Sequence, residues 1–195
     1  LRNPMDIDRL TFNFPNLKIA TNRNDINPFV PTDSLGINFP EKLVLNASVK
    51  GNLKNITADA DLKTSEGQIL IDGNFQNENM LAFNANLQTI DLELGNILQN
   101  QKLGKLNVTV SASGEGENVN HLDATLDANI NSLQLNQYEI KDWHIDGEIE
   151  NGSGFVNSDY KDDNINVEME SYVVLDSVAP KINMDLDMIG VNLQR

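Results

Sequence analysis

Two histidines, His121 and His144, are the only side chains here suited to general-base work near neutral pH. His144 lies between Trp143 and Ile145 in an alternating stretch, which puts it on a wet strand face, and His121 opens a strand. Plain surface roles are the expectation for both. Asp159, Asp162, Asp163 and Asn164 form the densest oxygen cluster. They lack the Gly at the sixth and the Glu at the twelfth position that an EF-hand loop needs, so a solvated loop is expected ahead of a calcium site. Glu115/Glu117 and Glu148/Glu150 are spaced two apart. On a strand that spacing is one outer face, not an acid–base pair. No Gly-x-Ser-x-Gly elbow, P-loop or His-Glu-x-x-His occurs. The absence of cysteine excludes thiolate metal sites, thiol nucleophiles and disulfides. The residues therefore predict no catalysis, no metal and no cofactor.

The elements around these residues are more informative. Apolar and polar residues alternate with period two over most of the 195 residues. Successive strand side chains point to opposite faces, so the pattern builds a sheet with one greasy and one wet face. The predicted greasy face carries Leu45, Ala47 and Val49, then Ile56, Ala58, Ala60 and Leu62, then Ile69 and Ile71. It continues through Phe83, Ala85 and Leu87, then Val108 and Val110, then Leu122, Ala124, Leu126, Ala128 and Ile130. Ile145, Val167, Met169, Ile182, Met184 and Leu186 complete it. Turn signals every 8 to 15 residues argue an all-β antiparallel architecture of some 13 strands.

Residues 1–40 form an irregular lead-in with short strands, and residues 41–195 the repetitive sheet. Leu10, Phe12 and Phe14 read as a strand stopped by Pro15, with Leu17 and Ile19 as another. Thr21 to Pro40, rich in Asn, Asp and Pro, reads as a loop. Asp72-Gly73 reads as a turn, and Gly95 to Gln101 as a break with a short helical turn. Leu43–Leu62 resembles Leu106–Ala128, and Phe83–Leu94 resembles Ile182–Leu193. A repeated strand pattern suits a sheet that grows by stacking.

Composition sets limits on partners. Net charge is −15, so phosphate backbones and anionic lipid surfaces are poor partners, and nucleic acid is not expected. Aromatics are only 6% of residues, which suits a thin interior better than one built on large rings. No apolar run reaches the ~18 residues of a spanning helix. The chain starts at Leu1 without a signal-like segment and reads as a mature product or a piece of something longer.

Phe39-Pro40-Glu41-Lys42-Leu43-Val44-Leu45-Asn46-Ala47-Ser48-Val49-Lys50-Gly51-Asn52-Leu53, followed by Asp61-Leu62-Lys63-Thr64-Ser65-Glu66-Gly67, resembles the repeats of TamB-like translocation and assembly proteins, especially those of Bacteroidota. Leu122 to Ala128 and Trp143 to Gly152 continue the likeness, which covers about residues 39 to 195. AsmA-like proteins share the style. The resemblance implies an extended sheet curled into a trough, a β-taco, with an apolar lumen lined by the residues above. It implies a segment of an inner-membrane-anchored, periplasm-spanning envelope protein that acts in outer-membrane biogenesis and protein secretion. Phospholipid is the implied cargo, and an outer-membrane barrel assembly factor the implied partner through other parts of the full protein. The resemblance carries over no catalytic residue. Asp33-Ser34-Leu35 and Asp176-Ser177-Val178 also fit a short O-glycosylation pattern of Bacteroidota exports.

Spacing alone favours a closed sandwich or barrel over an open trough, because period-two Leu and Ile usually fill a sandwich core. The resemblance reverses that order. The competing reading is a closed β-sandwich binding or adhesion module of an exported protein. A third is a structural repeat without a ligand. One Trp and three Tyr are few for stacking on sugars.

Overall fold

The computed structural model describes residues 10–28 and 36–191. Pro4, Pro31, the Asp33-Ser34-Leu35 sequence and Leu193 lie outside the described residues. The chain is all-β, with 72% of residues in strands against roughly 20–25% for an average domain, so alternation dominates every other local signal. Twelve strands form one antiparallel sheet: β1 (Thr11–Asn22), β2 (Lys42–Asn52), β3 (Asn55–Thr64), β4 (Gly67–Asn77), β5 (Leu81–Ile90), β6 (Leu92–Glu93), β7 (Leu103–Gly116), β8 (Leu122–Leu135), β9 (Tyr138–Glu150), β10 (Ser153–Lys161), β11 (Ile165–Val174) and β12 (Lys181–Val191). The order across the sheet is the order in the chain, with the two-residue β6 paired to β7 beside the main path. The sheet is open and curled: β1 and β12 do not meet.

The turns explain this order. Asn52 accepts at Oδ1 from Lys54 N (2.8 Å) and Asn55 N (2.9 Å), an Asx turn that returns the chain at once to its neighbour. Gly51, at φ +138°, precedes it, and a Cβ there would meet Asn55 O at 1.9 Å. Two four-residue helices interrupt the meander, α1 (Arg23–Ile26) and α2 (Leu94–Ile97). Asn22 caps α1 by accepting from Asn24 N and Asp25 N, so the expected loop after Thr21 opens on a helical turn. The turn expected between Gly95 and Gln101 is α2, starting one residue earlier.

Several strand limits differ from those that the alternation predicts. Pro15 does not stop a strand. It lies inside β1, where the register with β2 shifts between Phe14 and Leu17. A bulge on an edge strand needs no N–H at that position, so proline is tolerated. Asp72-Gly73 is mid-strand in β4, with Gly73 opposite both Ala58 and Ala85. Leu133 with Leu135 prolongs β8, and Tyr138 with Ile140 begins β9. β10 lacks clean alternation and was missed: Phe155 falls on the wet face and Ser158 on the greasy one.

Candidate functional site

Every residue expected to line the groove has the same facing in this register. One row crosses eleven strands: Leu17, Ala47, Ala60, Ile71, Leu87, Val110, Ala128, Ile145, Ser158, Met169 and Leu186, each opposite the next. Beside it run Phe14, Val49, Ala58, Gly73, Ala85, Ala112, Leu126, Gly147, Val156, Ser171 and Met184. A third row joins Ile56, Phe75, Phe83, Gly114, Ala124, Ile149, Gly154, Val173 and Ile182. On the far side Leu45, Leu62, Ile69 and Thr89 align, as do Val108, Ile130 and Trp143. Leu122 and Val167 extend these rows at opposite ends.

No second layer covers this face among the described residues. Among the described residues only Pro40, Leu92, Leu122, Ala128, Ile140 and Tyr160 are buried apolar side chains, and no large side chain is fully buried. Ile71 is 45% exposed and Met184 58%. In a closed sandwich both would be core. The apolar face holds a hollow of about 390 Å³ over Ala58, Gly73 and Ala85, walled by Ile56, Ile71, Phe75 and Phe83. Small residues make its floor and large ones its banks.

The sheet keeps its apolar side continuous through a change of phase that the sequence reading did not follow. Ile130 and Leu133 are three apart on β8, as are Ile140 and Trp143 on β9, so strict alternation would turn one of each pair outward. Ile130 nevertheless faces Trp143, and Leu133 faces Ile140. The register of β7 against β8 shifts between Asn107 and Val108, and Asp142 takes φ +55°. The irregularity re-aims the side chains beyond it. A further row, Leu92, Leu106, Leu133 and Ile140, follows and contains two of the buried side chains.

Polar atoms on the apolar face are mostly paired. Thr89 Oγ1 donates to Leu106 O (3.2 Å) and accepts from Val108 N (3.0 Å), replacing ladder bonds where β5 parts from β7. Trp143 Nε1 donates to Ser158 Oγ at 2.5 Å. Ser171 Oγ is the one buried side-chain polar atom without a partner among the described residues.

The opposite face is acidic. Ser48, Asp59, Asp72, Asn86, Ser111, Asp127, Asp146, Asn157, Glu170 and Asp185 form one row with no cation in it. Three hollows, of about 710, 640 and 440 Å³, open on this face. A twisted sheet is saddle-shaped, so each face is hollow along one diagonal.

The residues with chemical potential are dispersed. His144 lies on the wet face, 3.8 Å from Asp127 and 4.0 Å from Asp146, and His121 is exposed at the end of a turn beside Asn118. In the oxygen cluster near Asp162, Asp159 in β10 and Asp163 in the turn are exposed, whereas Asp162 is half-buried. Asp162 accepts four hydrogen bonds, from the hydroxyls of Tyr138 and Tyr160 and from Asn164 N and Ile165 N. Its carboxylate is committed to the fold. No group of metal-ligating side chains occurs among the described residues. Asp176 accepts from Val178 N and Ala179 N, which holds its carboxyl below the usual range. Ser177 beside it is exposed. Comparison with protein families, with characterised proteins and with solved structures gives no match to this chain.

Proposed function

We propose that this chain is a segment of a periplasmic lipid conduit acting in outer-membrane biogenesis, carrying phospholipid acyl chains along its apolar face. One observation carries the reading: rows of apolar side chains cross eleven strands without a covering layer. An unpartnered apolar surface of that extent marks a binding surface. Ten spacings of ~4.8 Å make it about 48 Å long. An acyl chain, half of a ~30 Å bilayer core, reaches across about three of those spacings. A chain laid there meets Ala58, Gly73 and Ala85 between Ile71 and Phe83 and desolvates no charged group. Its headgroup would lie in water at the rim. The acidic outer face gives an anionic membrane surface no purchase, so loading would come by hand-over from neighbouring parts of an inner-membrane-anchored protein. Delivery would end at a barrel-type assembly factor.

Native mass spectrometry of the purified chain tests this. The expected result is retained or added phospholipid at low stoichiometry, lost on delipidation and restored by phospholipid. A chain that stays lipid-free in the presence of phospholipid overturns the proposal.

A further inference from the structure

The acidic face contains two aromatic rings that the lipid reading does not use. Phe155 and Tyr172 face each other across β10 and β11, with ring centroids 5.1 Å apart and planes tilted by 58°. They are 47% and 38% exposed on the face that is otherwise polar. Glu148 lies directly opposite Phe155, Glu150 lies opposite Ser153, and Asp146 and Glu170 both lie opposite Asn157. The pair and these four carboxylates line one hollow of about 640 Å³. No Lys or Arg lines it, and none of Glu148, Glu150 and Glu170 makes an ion pair among the described residues.

We infer that this hollow is a recognition site for an arginine side chain of an extended basic polypeptide. Aromatic faces attract cations, and a guanidinium stacks flat on a ring while its edge donates to carboxylates. The hollow offers both at once: two aromatic rings, and carboxylates from β9 on one side and from β11 on the other. It is too open to enclose a small molecule, which binding pockets bury almost entirely. A polypeptide avoids that limit, because the acidic row continues past the hollow to Asp127 on one side and Asp185 on the other. Further basic residues of the same segment would find partners there. This site is on the face opposite the proposed lipid path, so the two proposals stand separately.

The test is a titration of the isotopically labelled chain with an (Arg-Gly)3 peptide and, in parallel, (Lys-Gly)3, followed by amide NMR at about 150 mM salt, where long-range attraction is screened. The expected result is tighter binding of the arginine peptide, with shifts centred on Glu148, Phe155, Glu170 and Tyr172. Phe155→Leu with Tyr172→Leu keeps the apolar bulk and removes the rings. Stacking at an exposed site corresponds to roughly a two- to fivefold change in affinity, so this variant should lose the arginine preference by about that factor. Glu148→Gln with Glu170→Gln should weaken both peptides. Equal binding of the two peptides, shifts spread evenly from β2 to β12, or no binding at all would overturn the inference. So would a ring variant that keeps the preference.

Discussion

Tyr138 and Tyr160, on adjacent strands, donate their hydroxyls to the same carboxylate oxygen, Oδ2 of Asp162. The other oxygen accepts from Asn164 N and Ile165 N at 2.7 Å each. One side chain therefore ties β9 to β10 and shapes the turn into β11. Hydrogen bonds to a charged group contribute about 1.5–3 kcal/mol, and stranded partners add to the loss. Asp162→Ala should cost about 2–3 kcal/mol in urea unfolding, and Tyr160→Phe about 1 kcal/mol.

Tyr160 also gives a pH dependence at the alkaline end. Burial raises its hydroxyl above the usual value near 10, and a hydrogen bond from the Lys141 backbone opposes this more weakly. The folded state then holds the proton more tightly than the unfolded chain. The stability tied to it is complete below the unfolded value and falls as pH rises through the folded one. Melting followed between pH 8 and 11.5 should show a loss at the top of that range that Tyr160→Phe reduces.

Gly73→Ala should destabilise the sheet, although Ala ordinarily stabilises a strand interior over Gly by roughly 0.5–1 kcal/mol. The added Cβ would meet Asn84 O at 2.4 Å. Denaturant midpoints of the wild type and this variant decide the sign.

Leu126 is half-buried and Met184 is 58% exposed, each mid-strand on the apolar face. An introduced carboxylate reaches water at such sites, so Leu126→Asp and Met184→Asp should both fold, Met184→Asp at the smaller cost. In a closed core the same change would cost several kcal/mol, comparable to the ~5–15 kcal/mol that holds a domain together. Both should reduce lipid retention in native mass spectrometry, while Asp127→Leu on the outer face should not. A folded Leu126→Asp that retains lipid like the wild type would count against the conduit.

His144 meets Asp127 and Asp146 only at 3.8–4.0 Å and on the surface. Exposed pairs of this kind contribute about 0–1 kcal/mol. His121→Ala with His144→Ala should shift stability by less than about 1 kcal/mol and leave lipid retention unchanged. Loss of binding in the folded double variant would point to a site at one of them.

The apolar face was legible because one residue in two declares it. Ala60 and Leu62 need only the period-two rule to share a face with Ile71 and Ile69, their partners. What the sequence hid are the places where the period breaks. Pro15 and Gly73 look like stops, yet an edge bulge absorbs the first and close strand approach requires the second. β10 carries Phe155 outward and Ser158 inward, so its alternation disappears when hydropathy is the only guide. The Asp162 knot joins residues 24 apart and has no local signature. The aromatic pair of β10 and β11 was invisible for the same reason, since only the register brings Phe155 to Tyr172.

Apart from the short β6, each strand makes its substantial contacts only with the strands beside it. Such a molecule behaves as a one-dimensional array, with stability built from strand-to-strand terms and no central nucleus. Opening then starts at β1 and β12 and moves inward, as a zipper does. Hydrogen exchange should accordingly grade from fast at the outer strands to slow at β7–β9, with no single protection value for the whole chain.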